Sequence, residues 1–236
     1  MTSFNHKAQC QTRHFSKQYN VEFAIMHLLI KGHTMHEKIS IIGAGSWGTA
    51  LAIHLASNFR QISLWVHEKE LCDTITRTRD NAWYLPGHPL QKNIHPTSSL
   101  HSAVEGQSLI LLVVPTHVIR QTLAKIKPFI EKDCLVISAS KGIENDTLFT
   151  SHQITQDVLG TNTPTATISG PTFAKEVAEG VPSALLASAE NLETARLVQE
   201  LFTTDKMKVF ANDDLVGVEI GGALKNVIAI ATGISD

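Results

Sequence analysis

At 236 residues and 43% hydrophobic content, the chain is long enough to bury one sizeable core and part of a second. A formal net charge of −2 gives no pull towards nucleic acid or an acidic membrane surface, and no apolar run nears the roughly 18 residues of a membrane-spanning helix. Cys10, Cys72 and Cys134 show no C-x-x-C spacing and the 12 histidines form no H-E-x-x-H or Cys/His cluster, which points to a reducing cytoplasm and argues against a metal site.

Residues 1–35 differ from the rest of the chain, mixing Lys7, Arg13, Lys17 and Lys31 with His6, His14, His27 and His33 around one apolar patch at 23–30. That patch is short for a secretory signal, and no small-residue cleavage site comes after it. A basic transit peptide is one alternative. Because Met35 falls just before the first strand, the segment is expected to be a disordered extension, or untranslated if synthesis starts at Met35.

The first strong signal is KISIIGAGSWGTALA at 38–52. Ile39, Ile41 and Ile42 read as a buried strand, and Thr49 onwards reads as a helix. Between them lies G-x-G-x-x-G in the strand-turn-helix setting that gives it physical meaning. Gly43 permits the tight turn, Gly45 offers no side chain to block a pyrophosphate, and Gly48 lets helix and strand pack closely. The free N–H groups of the helix N-terminus then face the phosphates.

A second strand at 62–66 ends without the carboxylate that would bind a ribose 2′-hydroxyl. His67 comes next, then Glu68 and Lys69; His67 and Lys69 could meet a 2′-phosphate, so NADP, or both cofactors, is expected over strict NAD. Residues 70–79 read as helix, 83–96 as irregular and 99–105 as a short helix. The run LILLVV at 109–114 has the continuous apolarity of a parallel strand buried on both faces. After it come helix 118–126, strand 134–139 with Cys134 as a core residue, helix 148–159 and strand 166–169. Pro171 is placed at the first position of a helix over 173–177. Strand 184–187, helix 193–202 and strand 208–210 complete an alternation that predicts a doubly wound, mainly parallel sheet with a mixed edge.

A helical pattern then covers 215–232. Its apolar face holds Val216, Ile220, Leu224, Val227, Ile228 and Ala231, and a neighbouring stripe holds Val218, Gly221, Gly222, Lys225, Ala229 and Thr232. Glycines inside a helix cost about 1 kcal/mol each, so close approach of a ligand or another backbone is expected there. Ligands in open α/β sheets bind beyond the strand carboxyl ends. There the candidates are Lys141 after the 134–139 strand and Lys225 on the glycine stripe, two lysines able to lower each other's pKa towards that of a general base. His117 is the rival base.

IIGAGSWGTALA, LWVH at 64–67, VVPTHV at 113–118, SKGIE at 140–144, ISGPTFAKEVAEGVP at 168–182 and GVEIGGALKNVIAIATGISD at 217–236 together resemble the bacterial-type NAD(P)-dependent glycerol-3-phosphate dehydrogenases. The resemblance runs from about residue 37 to 236. It implies a Rossmann-type dinucleotide-binding domain at 36–213 and, at 214–236, the first helix of an α-helical domain that is otherwise absent. It further implies that Ser46, Trp47, His67 and Ala174 contact the cofactor, and that Lys141 meets both cofactor and substrate. Gly170, Thr172 and Asn226 would lie against glycerol 3-phosphate, and Lys225 would be the proton acceptor.

The implied reaction interconverts dihydroxyacetone phosphate and glycerol 3-phosphate for phospholipid synthesis, in the cytoplasm and without membrane insertion, with a homodimer left open. Family members continue into a long helical domain whose Asp, Arg-Asn pair and Glu complete the site. On that reading this chain is truncated, and an inactive dinucleotide-binding fragment or a sibling hydroxy-acid dehydrogenase are the alternatives.

Overall fold

A computed structural model of the chain describes residues 35–235, with the side chains of Asn226 and Ser235 outside that description. Apart from Met35, the extension expected over 1–35 lies outside the described residues.

Alternating apolar runs and amphipathic segments fold as the pattern dictates. The strand β1 (His36–Ile42) turns into helix α1 (Ser46–Leu55), and then come β2 (Phe59–Trp65), α2 (Lys69–Thr78), β3 (Ile94–Thr97) and α3 (Leu100–Val104). Next are β4 (Leu109–Leu112), α4 (Thr116–Ile126), β5 (Leu135–Ser138), α5 (Ser151–Leu159) and β6 (Thr165–Ser169). The short α6 (Ala174–Ala178), β7 (Ser183–Ala189), α7 (Leu192–Phe202), β8 (Met207–Asn212) and α8 (Leu215–Ser235) end the described chain.

The strands form one sheet in the order β3-β2-β1-β4-β5-β6-β7-β8. All pairs from β3 across to β6 are parallel. β7 then pairs antiparallel to β6, with Ile168 opposite Ala187, and β8 runs parallel to β7. The mixed edge expected from the sequence is therefore present. The chain reverses direction across the sheet at β1 and β4, the switch point where doubly wound folds bind ligands.

β4 and β5 are buried along their whole length, which is why both read as unbroken apolar runs. Ile42, Ile110, Leu112, Ile119, Leu123, Val136 and Ile154 pack into one cluster between the sheet, α4 and α5. Cys134 is buried in this cluster as expected, and burial pushes its thiol pKa up to about 12.

Three local expectations are corrected. The stretch 83–96 is not wholly irregular: Ile94 to Thr97 pairs with β2, because Ile94 fills the core while Pro96 sits at the sheet edge, where a missing N–H is tolerated. Leu148 lies outside α5, with φ +60, and Thr150 is the N-cap; Gln153 Oε1 accepts the Thr150 N–H at 3.0 Å in a capping box. Pro171 is not at the first helical position, since α6 begins at Ala174 with Phe173 as its N-cap.

Candidate functional site

Backbone packing explains the Gly43–Gly48 turn before any ligand is considered. Gly43 has φ +122, and a Cβ there would lie 2.5 Å from the Val113 carbonyl oxygen. A Cβ on Gly48 would fall 1.8 Å from the Gly43 oxygen, so both positions must be glycine for α1 to leave β1 at this angle. Gly45 is different. A Cβ there would meet nothing within 4 Å, and its backbone angles suit any residue. The fold leaves open space at this position, and α1 has no side chain capping its first turn. Its N–H groups are left to an anion, which is the fit a dinucleotide pyrophosphate requires.

Ser46 is exposed and Trp47 half-buried on the first turn of α1. At the tip of β2, His67 is exposed and its ring meets Trp65 edge-on, the centroids 5.6 Å apart. Lys69 is also exposed, while Glu68 Oε1 accepts a hydrogen bond from the Tyr84 hydroxyl at 3.1 Å.

Further along the same sheet end, Lys141 is fixed through its backbone. Thr116, at the start of α4, donates from Oγ1 to the Lys141 carbonyl at 2.9 Å. Ser140 Oγ ties the same loop to the Val114 carbonyl at 2.6 Å. The Lys141 ammonium donates to the Gly170 carbonyl at 3.3 Å. Neighbouring atoms strip part of its hydration and Lys225 adds a like charge; both lower its pKa, burial more than charge.

Lys225 reaches this place because α8 packs against β6 and β7. Asp214 starts the helix by accepting the Gly217 N–H at 2.9 Å. Gly222 then passes Ser169 so closely that a Cβ would lie 3.0 Å from the Ser169 hydroxyl, while Gly221 faces open space. Close approach at the glycine stripe is therefore explained at one position by a strand end and at the other by a cavity. That cavity, about 630 Å³, is lined among others by Gly170, Leu186, Asn212, Gly221 and Lys225. The Lys225 ammonium stands 5.5 Å from the centroid of the Phe173 ring.

Two polar atoms here are buried without a hydrogen-bond partner among the described residues, Thr172 Oγ1 and Asn212 Oδ1. Each is costly unless a ligand satisfies it. Ala174 is half-buried at the start of α6, and His117 is exposed on α4. Asn226 sits next to Lys225 on α8, its side chain outside the described residues. The fold thus brings Lys141, Gly170 and Lys225 together. Ser46 and Trp47 open α1, which packs against α6 just after Gly170, and His67 follows the end of β2. Sequence reasoning places Thr116 past a strand end without a role, and it missed Phe173, Ser169 and Asn212; none of the three carried a spacing signal, since each acts through a tertiary neighbour.

The family model for the N-terminus of NAD-dependent glycerol-3-phosphate dehydrogenase matches residues 38–195, and that for its C-terminus matches residues 214–236. The chain belongs to the glycerol-3-phosphate dehydrogenase family. The dehydrogenase named for NAD(P)+ in Citrifermentans bemidjiense is 48% identical over 204 residues, covering 86% of this chain and 61% of that protein. Its counterpart in Desulfotalea psychrophila is 46% identical, covering 84% and 60%. Among solved structures, the glycerol-3-phosphate dehydrogenase of Coxiella burnetii superposes with a TM-score of 0.78 at 35% identity, covering 86% of this chain and 61% of that one. The chain therefore spans about three fifths of the length of the dehydrogenases it matches. A dehydrogenase from Pyrococcus horikoshii at 15% identity and TM-score 0.66 shares the fold alone.

Proposed function

We propose that this chain holds the dinucleotide site and the reacting lysine of a glycerol-3-phosphate dehydrogenase, interconverting dihydroxyacetone phosphate and glycerol 3-phosphate. The observation that carries the reading is the meeting of Lys141 and Lys225 around Gly170, beside a dinucleotide-type turn. Residues 36–213 form the cofactor domain on this reading, and 214–236 begin the substrate-closing helical part.

When bound, the reduced nicotinamide supplies the hydride that goes to C2 of dihydroxyacetone phosphate. Gly43, Gly45 and Gly48 shape the turn, and the N–H groups around Ser46 and Trp47 hold the pyrophosphate. Ala174 would contact the cofactor. Gly170, Thr172 and Asn226 orient the substrate, Thr172 through a buried hydroxyl that has no partner among the described residues. Lys141 stabilises negative charge on the C2 oxygen and Lys225 delivers the proton, or removes it in the oxidative direction.

NADPH is the favoured cofactor. His67 and Lys69 are exposed at the strand tip, and the nearby carboxylate of Glu68 is already engaged by Tyr84. The reduced, buried Cys72 and Cys134 suit the cytoplasm, and the reduced product suits phospholipid synthesis. Among the described residues no single helix is long and apolar enough to cross a membrane. Val216, Leu224, Val227 and Ile228 are exposed on α8, an apolar face compatible with a homodimer.

The deciding experiment titrates the purified chain with NADPH and NADH, then measures NADPH consumption with dihydroxyacetone phosphate. Turnover that Lys225→Ala abolishes supports the enzyme. NADPH binding without turnover leaves a dinucleotide-binding fragment, and turnover only on another keto acid identifies a sibling activity.

A further inference from the structure

We propose that Asn81 is a positioning residue for the dinucleotide, holding one peptide of the glycine turn so that the Gly45 N–H faces the pyrophosphate; this rests on the proposed role of the turn in dinucleotide binding. Asn81 comes from outside the turn, just beyond α2, and is fully buried. Its side-chain nitrogen donates to the Ala44 carbonyl and to Thr49 Oγ1, each at 2.8 Å. Thr49 passes its own hydroxyl proton to the same Ala44 oxygen at 3.3 Å. The carbonyl acceptor fixes which end of the amide faces the turn, because only the NH2 group can donate there. Its remaining oxygen accepts the Tyr84 N–H at 3.3 Å. Every hydrogen of the amide is therefore spent on the turn and on the helix that leaves it.

Peptide geometry carries this outward to the ligand. The Ala44–Gly45 peptide is trans, so its carbonyl and its N–H point in opposite directions. Anchoring the Ala44 oxygen inward turns the Gly45 N–H outward, into the space where a Cβ on Gly45 would meet nothing. That N–H has no acceptor among the described residues. Without the anchor, little local hindrance would oppose rotation of this peptide, since Gly45 tolerates both signs of φ.

The segment that carries Asn81 is itself braced. The Leu85 N–H returns to the Asn81 carbonyl at 2.9 Å, Asp80 Oδ1 accepts the Gly87 N–H at 3.0 Å, and Arg79 donates to the Ile94 carbonyl at 2.8 Å. The amide is thus presented from a stiff loop rather than a loose one.

Asn81→Asp separates the roles, because it keeps the oxygen that receives Tyr84 and removes the donors to Ala44. Two ligands are titrated by calorimetry against wild type, Asn81→Asp and Asn81→Ala: NADPH, and adenosine 2′-monophosphate, which has no 5′-phosphate to meet the turn. Loss of a buried hydrogen bond predicts NADPH binding weaker by roughly tenfold to a hundredfold in both variants, with the 2′-monophosphate unchanged. Equal weakening of both ligands, or no weakening of NADPH, overturns the proposal.

The amide resonance of Gly45 in the ligand-free protein is the second measurement. It is expected to shift and broaden in Asn81→Asp, and an unchanged resonance also overturns the proposal. Should wild type bind no dinucleotide, the reading of the turn fails by itself, and the Gly45 resonance still decides the role of Asn81. If the Asn81 variants do not fold, Thr49→Val removes the hydroxyl shared by the amide and Ala44 and is expected to move both readouts in the same direction.

Discussion

Two glycines of one motif should respond very differently to alanine. At Gly48 the new Cβ would sit 1.8 Å from the Gly43 carbonyl oxygen, with the Gly43 carbonyl carbon at 3.0 Å, so backbone must move. No side-chain rotation relieves such a clash, and the cost should be about 3 kcal/mol or more. At Gly45 the Cβ meets nothing, and φ −66 is ordinary for alanine. There the loss of unfolded-state freedom stabilises by about 0.4–1 kcal/mol. Alanine is a poorer N-cap than glycine, which takes back a similar amount, so the net change should stay within about 0.5 kcal/mol of zero. At about 2–4 °C per kcal/mol for a chain of this size, Gly48→Ala should melt roughly 6–12 °C below wild type while Gly45→Ala melts within about 2 °C of it. Yet Gly45→Ala should lose NADPH affinity, because its methyl group enters the pyrophosphate space. Differential scanning fluorimetry with and without NADPH reads both effects. A Gly45→Ala protein that binds NADPH as wild type does would refute the assignment of that open space to the cofactor.

Other consequences are separable from this one. Lys225→Met should abolish reduction of dihydroxyacetone phosphate while leaving the NADPH dissociation constant in place; a residual rate near wild type would move the proton transfer to another group. The same variant should raise the Lys141 pKa towards that of an ordinary lysine without reaching it, since burial is the larger cause and Lys225 the smaller. NMR titration of the Lys141 Nζ reads this, and a value unmoved by Lys225→Met would show that the charges do not interact. Glu219, buried on α8 and accepting the His152 N–H at 3.0 Å, has its carboxyl pKa raised chiefly by burial. The folded state then holds a proton that the unfolded state releases, so this group's contribution to stability falls as pH rises from the ordinary carboxylate range through the raised value. Glu219→Gln should flatten that fall in urea-unfolding measurements; an unaltered pH profile would argue that the carboxyl titrates normally.

Most of the fold was legible because the sheet centre obeys one rule: strands buried on both faces must be apolar throughout, and β4 and β5 are. β3 escaped because it is short, at the edge, and contains Pro96, which reads as a breaker although an edge strand can dispense with one N–H. The turn and both lysines were legible for a different reason. Gly43, Gly45 and Gly48 lie within six residues of one another, and a lysine one turn beyond a glycine pair on an apolar helix is costly enough to invite a question about function. What no spacing rule could supply was the support for these groups. Asn81 braces Ala44 from beyond α2, Thr116 holds the Lys141 carbonyl from α4, and Ser169 sets how closely Gly222 approaches β6. Each is a single hydrogen bond or steric contact between residues distant in sequence, and a lone Asn, Thr or Ser has no periodicity to betray it. The division has a physical origin. Groups that touch ligand must have special chemistry or no side chain at all, whereas groups that hold them in place need only be polar, small and in reach.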